Sequence, residues 1–352
     1  MIYTILNFLR NKRNINFNHF YKIMKVINFG KIKSTQIASI LTALSIKKET
    51  SEEIAATAKV INDSYNFNIQ NNNVMDLVGT GSDNLNFFNI STASSFVVAA
   101  AGSINVAKYG SKSISSYSGS LDLLNVLGIK LHLKKKDIRK CIKLLRLVFL
   151  MSEFKYKKKI RKIRMDIRIP TIFNIVGPLT NPIKPLKQLV GVYDKRLLTI
   201  FSKAFMKLGS KKTLIIHSKE GSDELSLNKS NYISELNNGK ITNFLINPKK
   251  FFFKKLSLKF IQIKNVLQSL DIIIHSIKGK LCIAFDIILL NSGTALYVSG
   301  IVHNIHNGLE LAKYILISGK AYTKLKKIVL FTKCLNKGKV CCNENIKKYF
   351  KL

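Results

Sequence analysis

The sequence predicts an α/β fold, with a mostly parallel central sheet flanked by helices and a small all-helical domain beside it. Three observations lead to this prediction. Residues 19–60 show helical periodicity without a strand signal. After residue 71, short apolar runs alternate with amphipathic stretches, which is typical of βα units. A chain of 352 residues, 47% of them hydrophobic, is also long enough to bury a substantial core.

The helical signal is strongest in the first part of the chain. Its apolar residues follow one helical face, and they are Ile37, Ile40, Leu41, Leu44 and Ile46. Ser51 then precedes a further helical stretch with Glu52 and Glu53 in its first turn, where negative charge stabilises the helix dipole. The asparagine-rich segment 61–73 follows and is expected to be a linker.

These features divide the chain into three parts. Residues 1–17 are expected to form an N-terminal extension. Residues 18–70 are expected to form the small helical domain, and 71–352 the large α/β domain. Basic helical sequence within about 130–167 is expected to contribute to the small domain.

Apolar runs place the elements of the large domain. Residues 74–78 end at a glycine and are expected to form a strand buried on both faces. The small and apolar series 93–101 predicts a helix, with Ser91 and Thr92 at its capping positions. Further strands are predicted at 104–107, 189–192, 214–216 and 285–290, and further helices at 121–127, 134–164, 197–208, 308–317 and 321–329.

The formal net charge is +39, from 58 Lys and Arg against 19 Asp and Glu. A basic surface of this kind attracts nucleic acid without any sequence motif. The other explanation is compositional bias, because the excess is spread along the chain together with abundant Ile, Asn and Phe, and lysine is usually solvated. We favour this second explanation and do not expect nucleic acid as a partner. In either case the charge favours anionic small substrates.

Cysteine, histidine and hydropathy patterns bear on compartment and metal content. The five cysteines include no Cys-x-x-Cys pair, which indicates a reducing compartment. His303 and His306 have no third ligand near them in sequence, so we expect core or surface histidines rather than a metal site. No apolar run reaches the length of about 18 residues that a membrane span needs, and the N-terminal segment lacks a small-residue cleavage site. A soluble, cytoplasmic protein is therefore expected.

The segment DLVGTGSDNLNFFNIST, residues 76–92, places a glycine loop between a predicted strand and a predicted helix. Backbone N–H groups at a helix start together carry about half a positive charge. Phosphate is therefore the natural ligand of such a loop.

Three other segments follow predicted strands or contain fixed turns. In KYGSKSISSYSGS, residues 108–120, a lysine and six serines offer donors that suit a phosphorylated ligand, although a flexible serine linker has the same composition. Asp223 and Glu224 form an adjacent acidic pair after a strand, which suits Mg²⁺ but also an ordinary solvated turn. In the segment RIPTIFNIVGPLTNP, residues 168–182, the pairs Gly177-Pro178 and Asn181-Pro182 predict a rigid turn.

Taken in order, GTGSD with NIST, KYG with its serine loop, FNIVGPLTNP and GSDELS resemble the anthranilate phosphoribosyltransferases of tryptophan biosynthesis. The resemblance extends from about His19 to the C-terminal region, including NSGTALYVSG at 291–300 and SGKAYTKLKKIV at 318–329. It implies the fold of the nucleoside phosphorylase and phosphoribosyltransferase class, dimerisation through the helical domain, and a site between the two domains. The implied substrates are phosphoribosyl pyrophosphate (PRPP) and anthranilate.

The resemblance also implies residue roles. The implied PRPP-binding residues are Gly79, Ser82, Asp83, Asn89, Ile90, Ser91, Thr92, Lys108, Ser116 and Ser120. The implied anthranilate-binding residues are Gly79, Ser111 and Arg164, and the implied magnesium ligands are Ser91, Asp223 and Glu224. Because Arg164 lies in the basic run KKKIRKIR, its role could instead belong to Arg161 or Arg168.

The implied reaction is displacement at the anomeric carbon of ribose, with pyrophosphate leaving and the amine of anthranilate entering. Magnesium, lysine and N–H donors would stabilise the leaving polyanion. No general base is assigned, since an aromatic amine is already nucleophilic. The chain departs from the family pattern on the acceptor side, at Tyr109, Ser111, Phe154 and Pro170.

Two other functions fit parts of the sequence. A nucleic-acid-binding protein on the same scaffold would explain the charge of +39. A pyrimidine nucleoside phosphorylase would share the architecture. The pair Asp223 and Glu224 argues against the phosphorylase, because phosphate as nucleophile needs no such metal site.

Overall fold

The structure is a computed structural model that describes residues 2–28, 32–65, 73–81, 83, 85–110, 119–151, 158–251, 253 and 258–335. The helices of these residues are α1 (Ile2–Arg10), α2 (Phe17–Asn28), α3 (Ser34–Lys47), α4 (Ser51–Ser64), α5 (Ile90–Ala100), α6 (Ser120–Val126), α7 (Lys135–Leu145), α8 (Lys158–Ile167), α9 (Ile172–Ile175), α10 (Leu197–Lys207), α11 (Val266–Ile277), α12 (Ile283–Ser299), α13 (Ile305–Ile317) and α14 (Lys320–Cys334). The strands are β1 (Val74–Gly79), β2 (Asn105–Gly110), β3 (Leu147–Met151), β4 (Lys187–Gly191), β5 (Lys212–Ser218), β6 (Asn231–Asn237) and β7 (Lys240–Ile246).

The described strands form a single seven-stranded sheet in the order β3-β2-β1-β4-β5-β6-β7. The first five strands of that order are parallel, and β6 and β7 are antiparallel additions at one edge. Together with the N-terminal helices, this confirms the predicted fold class. Strand β1 is central, because β2 and β4 pair with its two edges.

The helices α1 to α4 pack together at the N-terminal end of the chain. Ile5 and Leu9 of α1 belong to the same apolar cluster as the buried faces of α2, α3 and α4. Ile160 and Ile163 of α8 join this cluster, and the contribution of residues 130–167 to the small domain stays a prediction. The predicted boundary at residue 17 stays a prediction, although residues 2–10 share the core of the helices that follow.

Glu53 has a larger role than stabilising a helix dipole. Its side chain is fully buried and forms an ion pair with Lys47 at 2.9 Å. It also accepts hydrogen bonds from the backbone N–H groups of Ile15 (3.1 Å) and Thr50 (2.9 Å). A buried carboxylate needs such partners, and here they join the α1–α2 connection to the start of α4.

The structure corrects three predictions about elements. The helix predicted over 134–164 is interrupted by β3, because Arg146 adopts a left-handed conformation (φ 54°) and the apolar run after it pairs with β2. The strand predicted at 285–290 is wrong, since these residues lie inside α12, whose sides are almost all buried. The hairpin of β6 and β7 has no counterpart among the predicted strands.

The other predicted elements agree with the structure within a few residues at their ends. Strands β1, β2, β4 and β5 lie where apolar runs placed them, as do α5, α6, α10, α13 and α14. No helix among the described residues is long and apolar enough to span a membrane. The described cysteines, Cys141, Cys282 and Cys334, are unpaired thiols.

Candidate active site

A group of the predicted site residues lies near the carboxyl ends of β1, β4 and β5; its members are Gly79, Ser91, Lys108, Asp223 and Glu224. The strand order changes direction at β1, because β2 and β3 lie on one side of it and β4 and β5 on the other. In open α/β sheets the crevice at such a point is where ligands bind. The first turn of α5 and the loop after β5 complete the edges of this cleft.

Asp223 lies against two glycines that face each other in the sheet. Gly79 ends β1, Gly191 ends β4, and the two residues are opposite in register. A Cβ on Gly79 would be 2.3 Å from Asp223 Oδ2, and a Cβ on Gly191 would be 1.6 Å from the carbonyl oxygen of Asp223. Asp223 also accepts a hydrogen bond from the N–H of Gly81 at 2.7 Å. Glycine is therefore required at 191, where the obstacle is backbone, whereas a Cβ at 79 would displace the carboxylate end of the Asp223 side chain.

Glu224 accepts a hydrogen bond from the N–H of Ser91 at 3.1 Å. Helix α5 begins at Ile90 with Asn89 at its N-cap position. The prediction that Ser91 and Thr92 are capping residues is therefore wrong, because both lie in the first turn. The Asn89 side chain does not cap the helix either; it accepts a hydrogen bond from Ser269 Oγ at 2.8 Å. A carboxylate from another part of the chain instead meets the positive end of α5, as a phosphate would.

Lys108 is 3% exposed and points toward the same turn of α5. Its Nζ donates to Ser91 Oγ at 3.0 Å and to the carbonyl oxygen of Leu77 at 2.6 Å. Burial lowers the pKa of this ammonium, while the charges of Asp76, Glu224 and Asp223 favour its protonated form. The ammonium thus lies beside the residues that are expected to bind magnesium.

Two polar residues that the sequence did not single out hold the acidic loop in place. Ser222 Oγ donates to Asp83 Oδ2 at 3.3 Å and accepts from the N–H of Glu224 at 3.0 Å. Asn291 bonds both backbone groups of Leu225, accepting from its N–H at 3.1 Å and donating to its carbonyl at 3.2 Å. Asn291 is the first residue of the NSGTALYVSG segment, and the resemblance of that segment to the family was the sequence signal that could have identified it. The signal for Gly191 was a glycine inside a predicted strand.

Each of the two adjacent carboxyl groups of the loop is buried beside another carboxyl group, and both effects disfavour its charge. Burial, followed by the charge of Asp83, raises the pKa of Asp223 to about 7. Burial, followed by the charge of Asp223, raises the pKa of Glu224 to about 8. A divalent cation would relieve this repulsion, and carboxylate and hydroxyl oxygens are ligands that Mg²⁺ accepts.

The donor set therefore fits the predicted magnesium ion. Asp223, Glu224 and the hydroxyl of Ser91 are the candidate protein ligands. Within the described ranges, no group of three His, Cys, Asp or Glu side chains is arranged to hold a metal ion. Substrate phosphate and water oxygens would complete the coordination, as is usual for Mg²⁺.

The remaining predicted residues have other contacts or lie outside the described residues. Arg164 Nη2 donates to Asn174 Oδ1 at 3.2 Å, and its guanidinium carbon lies 5.6 Å from the ring centroid of Phe173. Arg161 and Arg168 are exposed, whereas Arg164 is half-buried. Thr92 and Ile90 are buried, and Ser120 is the first residue of α6. Ser82, Ser111, Ser116 and Phe154 lie outside the described residues.

Comparisons with known proteins place the chain in a family. A model of the glycosyl transferase family α/β domain matches residues 71–322, and the model of that family's helical bundle domain matches residues 3–64. The anthranilate phosphoribosyltransferase of Vesicomyosocius okutanii is 41% identical over 90% of this chain and 95% of its own length. The chain belongs to the anthranilate phosphoribosyltransferase family. The enzyme of that name from Petrotoga mobilis is 37% identical over 92% of this chain and 94% of its own length.

Solved anthranilate phosphoribosyltransferases share the fold. The enzyme from Thermus thermophilus superposes with a TM-score of 0.86 at 28% identity, covering 94% of this chain and 99% of its own. The Saccharomyces cerevisiae enzyme, solved in complex with PRPP and Mg, gives a TM-score of 0.82 at 25% identity and covers 94% and 98% of the two chains. The predicted family and enzyme class are thereby confirmed.

Proposed function

We propose that this protein, as an anthranilate phosphoribosyltransferase, transfers the phosphoribosyl group of PRPP to the amine of anthranilate. The bond from the anomeric carbon to pyrophosphate breaks, a carbon–nitrogen bond forms, and the amine then loses a proton. The observation that carries the proposal is that the glycine loop, the first turn of α5 and the acidic pair meet at the carboxyl ends of the parallel strands. Such a site matches the two anionic ends of PRPP with N–H donors and a metal site.

We assign the pyrophosphate to the part of the cleft between Gly79 and the first turn of α5. The ammonium of Lys108 and the positive end of the α5 dipole would stabilise the charge that develops as pyrophosphate leaves. Ser91, Asp223 and Glu224 would hold Mg²⁺, which supplies positive charge to the leaving group. The close approach of Asp83, Asp223 and Glu224 supports this assignment, because a cation relieves the repulsion between neighbouring carboxylates.

We assign the acceptor end of the site to Gly79, Ser111 and Arg164. The half-buried position of Arg164 and its bond to Asn174 favour it over Arg161 and Arg168 as the cation for the anthranilate carboxylate. An arginine is suited to this role because its guanidinium binds carboxylates in a bidentate manner. Positioning the amine against the anomeric carbon contributes to the rate through proximity, by up to about 7–11 kcal/mol in ideal cases.

A fluorescence assay tests the proposal. Purified protein given PRPP, Mg²⁺ and anthranilate should consume anthranilate fluorescence, and chelation of the metal should stop the consumption. A homologous enzyme assayed beside it controls for the reagents. No consumption by folded protein, with an active control, would reject the proposed reaction.

We also propose a homodimer formed through the helical domain. Tyr3 and Phe8 of α1 are 78% and 41% exposed, and Ile46 of α3 is 67% exposed, so this domain carries large apolar side chains on its surface. Light scattering should give twice the chain mass of 39.8 kDa. Tyr3→Glu combined with Phe8→Glu should give a monomer, whereas Leu281→Glu, at an exposed residue of the large domain, should not.

The alternatives suggested by the sequence gain no support. The relatives and solved structures described above carry the name of the transferase, which favours neither a nucleic-acid-binding protein nor a pyrimidine nucleoside phosphorylase. The charge of +39 is then a general property of the surface. Its expected effect is to attract an anionic substrate.

A further inference from the structure

The backbone pairing of strands β1 and β2 stops before the strands reach the cleft. Strand β1 pairs with β4 over five consecutive residue pairs that end at Gly79 and Gly191. It pairs with β2 only at Val74 with Asn105 and at Met75 with Val106. Beyond these positions the backbone groups on the facing edges need other hydrogen-bond partners, because the sheet is buried.

Two buried side chains supply those partners. Asp76, which is 0% exposed, accepts from the N–H of Tyr109 at 3.1 Å through Oδ1. Asn181, which is 2% exposed, donates to Asp76 Oδ2 at 2.9 Å and to the carbonyl oxygen of Ala107 at 2.8 Å. Its own Oδ1 accepts from the N–H of Ile183 at 3.0 Å, which fixes the direction of the amide.

The two backbone groups held in this way belong to the peptide units on either side of Lys108. Asn181 holds the carbonyl of the unit before Lys108, and Asp76 holds the N–H of the unit after it. The backbone angles of Lys108 are thereby fixed from both ends. Its side chain leaves on the opposite face of β2 from that of Tyr109, as successive strand residues do, and reaches Ser91 Oγ.

We propose that Asp76 and Asn181 are positioning residues that aim the ammonium of Lys108 at the pyrophosphate end of the cleft. This inference rests on the proposed function of that cleft. Neither residue contacts the substrates. They act through Lys108, and a displacement of about 1 Å at a charged group of an active site is enough to cost about a hundredfold in rate.

The test is a double-mutant cycle with Lys108. Asp76→Asn must lose one hydrogen bond. The asparagine side chain has a single acceptor oxygen, which can accept from the Tyr109 N–H or from Asn181 Nδ2 but not from both. We expect the KM for PRPP to rise about tenfold or more and the KM for anthranilate to stay within about twofold. In a Lys108→Ala background the same change should not raise the KM for PRPP further, because the effects of substitutions at residues that act as one unit are not additive.

A swapped pair and a matched control sharpen the test. In Asp76→Asn with Asn181→Asp, the bonds to Tyr109 and Ile183 and the bond between the pair can form, but a carboxylate oxygen then faces the carbonyl oxygen of Ala107. Because this carbonyl belongs to the peptide unit before Lys108, the double variant should lose at least as much PRPP affinity as Asp76→Asn. Glu235→Gln changes another buried acid, which accepts a hydrogen bond from Tyr297 at 2.8 Å, and should leave both KM values unchanged.

Three results would overturn the proposal: equal effects on both substrates, additive effects in the Lys108→Ala background, or unchanged PRPP affinity in folded Asp76→Asn. Calorimetric titration with PRPP and Mg²⁺ gives the affinity even if no turnover is seen. A wild-type protein that binds PRPP but does not use anthranilate would reject the proposed reaction while leaving this inference testable. If Asp76→Asn does not fold, Asn181→Ala replaces it in the same cycle, with the same results expected.

Discussion

Replacing Gly191 with alanine should displace the acidic loop from the end of β4. The new Cβ would lie 1.6 Å from the carbonyl oxygen of Asp223, 2.5 Å from its carbonyl carbon and 3.0 Å from its Cβ. An unstrained C···O contact is about 3.3 Å, so the backbone of Asp223 must move by about 1.7 Å. The obstacle is backbone rather than a flexible side chain, and a rotamer change cannot relieve it.

A shift of this size exceeds the misplacement of about 1 Å that costs an active site about a hundredfold in rate. We therefore expect kcat/KM for PRPP to fall at least a hundredfold in Gly191→Ala. The fold should survive, because overpacking at one site costs about 1–3 kcal/mol. Calorimetry should show weaker binding of PRPP with Mg²⁺, and urea unfolding should confirm a folded protein.

Val192→Ala is the matched control for this experiment. Val192 is fully buried next to Gly191, and its truncation should lower the free energy of unfolding without moving Asp223. A similar loss of PRPP binding in both variants would show that reduced stability explains the effect. Affinity within about twofold of wild type in Gly191→Ala would refute the argument that this glycine sets the position of Asp223.

Three further predictions concern charged residues of the same region. Asp223→Ala with Glu224→Ala should abolish turnover while leaving the urea midpoint at or above that of wild type, because burial disfavours both charges. A large drop in the midpoint would contradict this. Lys108→Ala should raise the KM for PRPP far more than the KM for anthranilate in steady-state assays; equal increases would contradict its role. Burial raises the pKa of Asp76 from 3.8 to about 6. The folded state therefore holds this proton more tightly than the unfolded state, and stability falls as pH rises from about 4 to 6, by about 3 kcal/mol. In urea unfolding, wild type should show this fall in stability with pH and Asp76→Asn should not. Parallel pH profiles for the two proteins would contradict the prediction.

The parts of the fold that could be predicted are those in which local pattern and burial agree. Strand β1 combines an apolar run with a terminal glycine, and it is buried on both faces as expected of a parallel strand. The glycine loop and the helix after it followed from the same segment. Their agreement with the structure comes from backbone chemistry that needs no distant partner.

The elements that could not be predicted depend on distant contacts. Helix α12 is buried on nearly all sides, so its apolar residues show no helical period, and the apolar run within it predicts a strand instead. Strand β3 lies within a basic stretch and is defined by its pairing with β2. The hairpin does have a local signal, since Asn238 and Gly239 (φ 46° and 84°) form the two-residue turn that Asn-Gly favours.

The candidate site shows the same division. Asp223 and Glu224 stood out as an adjacent acidic pair, but Ser222, Asn291 and Gly191 did not. Their roles depend on which distant atoms they meet. Gly191 matters because a loop some thirty residues later in the chain passes over it; a glycine in a predicted strand signals a close approach but not which segment makes it.

The site also explains how a chain with net charge +39 can hold a cation. Among its 19 acidic residues, Asp83, Asp223 and Glu224 lie together in the loops that follow β1 and β5, and Asp76 is buried within β1. Surface lysines act through water and salt, and their field falls off over about 8 Å at physiological ionic strength. The surface lysines and the acidic residues of the site therefore act over different distances. The excess of lysine would attract an anionic substrate from outside, while these acids would determine the local field and favour the proposed divalent ion.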